Sequence, residues 1–97
     1  PTALDATSIT NDDFTANWTA VPNADDYIVF VALDIDFNIP ISGYAGLLVG
    51  NVLSRVVDGQ DVIDNDNFYY KIKAVNLELG LESDWSNVIE VNKIDSF

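Results

Sequence analysis

Along this chain, stretches in which apolar and polar residues alternate one for one are separated by short clusters of Asn, Asp, Gly and Pro. In Phe14-Thr15-Ala16-Asn17-Trp18-Thr19 the period is two, which puts Phe14, Ala16 and Trp18 on one face of an extended strand and the polar residues on the other. Residues 68–75 alternate in the same way, sending Phe68, Tyr70, Ile72 and Ala74 inward and Tyr69, Lys71 and Lys73 outward. Residues 27–33 are apolar at both parities, the pattern of a central strand whose second face is also covered. Shorter β-branched runs at 52–57 and 88–91, and a weaker one at 4–9, complete the strands. Turn residues stand at 10–13, 22–25, 38–40, 49–51, 58–59, 64–67 and 79–80, and no window carries a sustained helical period with caps. The pattern predicts an all-β antiparallel sandwich of about seven strands, with Phe14, Trp18, Tyr27, Phe68, Tyr70 and Ile72 meeting in one dry interior.

Composition narrows what such a sandwich does. The chain has 97 residues, 48% hydrophobic, which points to one folded domain spanning 1–97. Four basic residues stand against sixteen acidic ones, a net charge of −12 that repels nucleic acid and anionic membrane surfaces. With no His and no Cys there is no imidazole base, thiolate or disulfide, so Ser-His and Cys catalysis and structural zinc drop out. No cofactor and no metal is expected. The longest apolar run, 27–33, is too short to insert across a membrane. The chain has no Met and begins at Pro1, as expected of a piece of a longer precursor.

Four features of the sequence resemble the fibronectin type III domain over nearly the whole chain, which implies an immunoglobulin-like sandwich. Residues 1–4 with 14–21 look like its opening strand and Trp-bearing second strand, Tyr27-Ile28-Val29-Phe30-Val31 like its third, and Tyr70-Lys71-Ile72-Lys73-Ala74-Val75-Asn76 like its sixth. Gly80-Leu81-Glu82-Ser83-Asp84-Trp85-Ser86-Asn87 is similar to its Gly, Ser and Ser approach to the last strand. Ser42-Gly43-Tyr44 and Val49-Gly50-Asn51-Val52 further resemble copies found in exported multidomain bacterial proteins. The chain departs from the family at Phe68, where a corner Tyr usually bonds its hydroxyl to backbone, and in residues 60–67, a loop of this protein's own.

Candidate chemistry is sparse. Asp61, Asp64 and Asp66 with Asn65 and Asn67 form a loop of hard oxygen ligands whose calcium binding the sequence leaves undecided. Asp34, Asp36 and Asn38 imitate the start of a calcium loop, but Ile39 and Ala45 stand where the turn Gly and the bidentate Glu belong. Turn formation by these side chains, with Phe37 anchored in the core, is the expectation there. Asn17-Trp18-Thr19 matches the glycosylation pattern but lies mid-strand beside a core Trp. On the surface, Phe30, Tyr44, Tyr69 and Trp85 are the candidates for a face that meets a ligand or partner, with Trp85 also placed to fold over Lys71 or Lys73. Leu77, Leu79 and Leu81 occupy a loop where polar residues are normal; they either cap the end of the sandwich or contact a neighbouring domain.

These observations point to a non-catalytic module of a secreted or cell-surface protein, extracellular in location. It would serve as a spacer or as an adhesion domain that contacts neighbouring domains of its precursor or another protein. The alternative is an accessory carbohydrate-binding domain of a polysaccharide-degrading enzyme, stacking polysaccharide on its aromatic face.

Overall fold

The computed structural model describes residues 1–93. The elements follow in the order β1 (Ala3–Thr7), β2 (Asp13–Trp18), β3 (Asp26–Ala32), β4 (Pro40–Leu48), β5 (Ser54–Asp58), α1 (Gln60–Asp64), β6 (Asn67–Asn76), β7 (Leu81–Glu82) and β8 (Ile89–Asn92). All pairings are antiparallel. One sheet has the order β1-β2-β5; the other runs β4-β3-β6, with β7 and β8 both paired to β6. β7 takes the Val75–Asn76 end of β6 and β8 the end from Asn67 to Tyr70, so these two short strands are halves of one interrupted edge. Counted that way, the described residues form seven strands, against the expected number of about seven.

The alternation seen in the sequence is what closes the sandwich. Phe14, Ala16 and Trp18 of β2 face Tyr27, Val29 and Val31 of β3 and Phe68, Tyr70 and Ile72 of β6, all of them buried. The Phe14 ring lies 5.4 Å from Phe68 and 6.2 Å from Tyr70, and Trp18 lies 5.9 Å from Tyr27. The Tyr70 hydroxyl crosses the interior, donating to the Leu4 carbonyl on β1 and accepting the Asn17 amide of β2 at 3.5 Å. Burial pushes its pKa up to about 12. The tyrosine-to-backbone link that Phe68 cannot make is therefore made two residues later, from one sheet to the other. Asn87 adds a second tie: its amide accepts the Ala3 N–H at 2.9 Å and donates to the Ala3 carbonyl at 3.1 Å, closing the free edge of β1.

Three sequence expectations need correction. Residues 40–48 form a strand where the alternation pattern marked none and Pro40 was read as part of a turn. Gly43 and Gly46 adopt φ of 87° and 91°, and β4 pairs with β3 through shifts of register, so it is a bulged edge strand. Residues 60–64 form one turn of helix; no side-chain bond caps its start, so no capping signal marked it, yet Val62 is fully buried. Phe37 does not enter the core. At φ 59° it turns onto the outer face of the β4-β3-β6 sheet, its ring edge-on to Phe30 at 5.2 Å.

The sandwich has two poles. At the amino-terminal pole, Thr2 meets Thr19, and the loops 19–25, 49–53 and 77–80 gather. At the opposite pole, Lys93 is buried, its ammonium donating to the carbonyls of Asn11 (3.0 Å), Val62 (2.7 Å) and Ile63 (3.3 Å), with Asp66 at 4.0 Å. It joins the turn before β2, helix α1 and the end of β8.

Candidate functional site

The outer face of the larger sheet is built by β3, β6 and the segment between β7 and β8. Ser83 and Ser86 shape that segment. The Ser83 N–H donates to the Ala74 carbonyl and its Oγ accepts the Ala74 N–H, both at 2.9 Å. Ser86 does the same with Ile72, at 2.8 and 2.9 Å. Each hydroxyl thus replaces a backbone carbonyl in the ladder. Three steps along this segment match two along β6, and the surplus carries Asp84 and Trp85 outward. Trp85 settles over β6, with the Lys71 ammonium 4.6 Å and the Lys73 ammonium 4.4 Å from its ring centre. Lys71 also sits 4.3 Å from Phe37 and 5.5 Å from Phe30, while Phe30 meets Trp85 edge-on at 6.1 Å. Lys73 is further held by Glu82 at 3.2 Å. Two cations and three aromatic rings thereby satisfy one another on the sheet surface, each close contact contributing about 0.5–1 kcal/mol. Sequence reasoning missed Phe37 here, because strand periodicity says nothing about a loop residue at positive φ.

Of the four aromatic residues singled out for this face, Phe30 and Trp85 are in contact, and Tyr69 lies on the outward parity of β6. Tyr44 is elsewhere. It is 5% exposed within the core cluster, its hydroxyl donating to the Val56 carbonyl at 3.3 Å and accepting Arg55 Nε at 3.1 Å, so it cannot serve as a stacking platform. The acidic loops are occupied with folding. The Asp34 carboxylate accepts the Asn38 and Ile39 amides at 3.0 and 2.8 Å, bonds that hold its pKa below the ordinary carboxylate value. Asp61 accepts the Ser42 amide at 2.8 Å, and Asn65 donates to the Asp61 carbonyl at 2.9 Å. Among the described residues, no cluster of three or more His, Cys, Asp or Glu is placed to hold a metal ion. Asn17 spends its amide on Asp5, Thr7 and Thr15.

Leu77, Leu79 and Leu81 remain in water at 57, 68 and 59% exposure, so the loop does not seal the end of the interior. Leu79 and Leu81 instead form one wall of an open cleft of about 400 Å³ at the amino-terminal pole. Val21, Pro22 and Ala24 form the other wall, Ala74 and Val75 the floor, and Asn23, Asn76, Glu82 and Ser83 the polar rim. Nothing in either loop alone announces this cleft, because its walls lie some fifty residues apart in sequence.

No family profile matches the sequence, and no curated protein matches it. Solved structures do. FN3tt mut superposes with a TM-score of 0.57 at 13% identity, over 96% of this chain and 98% of that one. The chain has the fibronectin type III fold. A β-1,2-glucanase from Parabacteroides distasonis contains the same fold, with a TM-score of 0.68 at 17% identity over 95% of this chain. The present chain spans only 12% of that glucanase. In fibronectin type III terms, the lysine–aromatic stack lies on the outer face of the larger sheet, and the leucine cleft lies between the second–third and sixth–seventh strand connections.

Proposed function

We propose that this fibronectin type III sandwich is a non-catalytic module of a secreted or cell-surface protein, separating or contacting neighbouring protein domains. The observation that carries this reading is where its reactive groups are spent. Asp25, Asp26, Asp34 and Asp61 hold backbone amides, Lys93 holds carbonyls, and Lys71 and Lys73 lie against aromatic rings. Catalytic acids and bases need perturbed, mutually placed groups in a cleft, whereas these side chains fix turns and edges. Recurrence of the fold as a small part of a much longer chain supports a module whose role is set by its neighbours. The negative charge of the sandwich, −12 in all, keeps such modules soluble and apart.

A second reading draws on the glucanase neighbour and on Trp85: an accessory carbohydrate-binding module of a polysaccharide-degrading enzyme, with Phe30, Tyr69 and Trp85 as its platform. Native affinity electrophoresis in gels containing soluble glucans, β-1,2-linked glucan included, separates the two. The module reading predicts unchanged mobility in every gel. Retardation that disappears in Trp85→Ala would replace it with the carbohydrate reading.

A further inference from the structure

We propose that the cleft at the amino-terminal pole is a docking site for a protein segment carrying an apolar side chain between lysines or arginines. This deepens the protein-contacting reading above and rests on it. The cleft is built before any partner arrives. Asn76 Nδ2 donates to the Asn23 carbonyl at 2.8 Å, joining its two walls, and the Leu79 amide donates to Asn76 Oδ1 at 2.9 Å. The Asp25 carboxylate accepts the Leu77 amide at 2.8 Å and the Glu78 amide at 3.4 Å. Gly80, at φ 66°, completes the turn. These bonds hold Leu77, Leu79 and Leu81 outward while the backbone that presents them is tied down, so a partner meets a surface whose ordering cost is already met. The opposite pole also exposes Ile35 and Ile39, but its hollow is smaller, about 230 Å³, and is lined by Ser42, Asp58, Gln60 and Asp61.

Charge selects the occupant. Glu82 is on the rim of the cleft, and the exposed Asp25, Glu78 and Asp84 each adjoin a lining residue in the chain, Ala24, Leu79 and Ser83 respectively. The cation at hand, Lys73, is bonded to Glu82 and packed on Trp85. A second copy of this chain would bring another −12 to the same place. A sugar would find no ring to stack on, because no aromatic side chain lines the cleft. An apolar side chain flanked by Lys or Arg satisfies both the leucine walls and the acidic surround.

The test is selection of random dodecapeptides displayed on phage against the immobilised 97-residue chain, followed by affinity measurement on synthetic copies of the enriched peptides. The expected result is a consensus with Leu, Ile or Phe beside Lys or Arg. Binding should weaken at least about tenfold in a Leu79→Ser/Leu81→Ser variant, and severalfold as salt rises from about 50 to about 500 mM. The melting temperature of that variant should match the parent, which separates lost contact from lost fold. No enrichment, an acidic consensus, or equal binding to the double variant would overturn the proposal. The gel experiment with glucans reads out the broader reading independently, since an unretarded chain that selects no peptide leaves the module reading intact and removes only this site.

Discussion

The two poles of the sandwich are finished in opposite ways. At the carboxyl-terminal side, Val62 turns fully inward from a single turn of helix, and Lys93 tucks its ammonium among three carbonyls. At the amino-terminal side, the polar atoms Asn76 and Asp25 bind the loops, and three leucines are left in water. The first pole is closed by the buried Val62 side chain and the carbonyl bonds of Lys93; at the second, hydrogen bonds order the loop that carries the leucines without burying them. A pole that orders its backbone without burying its leucines leaves them free for something else to cover. The same division runs across the faces of the larger sheet, where interior rings hold the fold and exterior rings hold lysines.

Changes at the closed pole should be costly. Lys93→Ala leaves the Asn11, Val62 and Ile63 carbonyls short of their donor, and should lower unfolding free energy by about 2–4 kcal/mol in urea titration. A loss below about 0.5 kcal/mol would show that water replaces the ammonium easily and that the two poles are alike. The outer face comes next. Trp85→Ala removes the ring shared by Lys71, Lys73 and Phe30 and should cost about 1–2 kcal/mol, read by the same titration. If Trp85→Ala costs nothing, the stack is decoration and the ring is free for a ligand.

Tyr70→Phe sharpens the comparison inside the core. At neutral pH it should cost about 1 kcal/mol for the lost bond to Leu4. Its pH dependence has a definite sign. The folded phenol titrates near 12, above its unfolded value of 10.0, so the folded state holds the proton more tightly. The stabilisation is complete below about pH 10 and is lost as pH rises toward 12, so the gap between parent and Tyr70→Phe should close over that interval. A gap that stays constant in alkaline melts would mean the hydroxyl is not buried as described.

Strands with a clean period of two were legible in the sequence, because β2 and β6 each bury every second residue. β4 was hidden by Gly43 and Gly46, whose positive φ serves a bulge as readily as a turn. Helix α1 is too short to show a period, and Val62 reads the same in a loop. The fold of Trp85 over its lysines was legible because Lys71 and Lys73 share the outward parity of β6. That Tyr44 faces inward was not, since its direction depends on the irregular pairing of β4. The leucine loop announced itself by composition, but the cleft did not, because the opposing wall at Val21 and Pro22 arrives only through folding.

The smallest expected effect bears most directly on the division between the poles. Urea unfolding of Leu79→Ser/Leu81→Ser beside the parent chain should give unfolding free energies within about 0.5 kcal/mol of each other, as for surface positions outside the packed interior. A loss of about 2 kcal/mol or more would place these leucines among the residues that hold the sandwich together, and contradict their assignment to a partner.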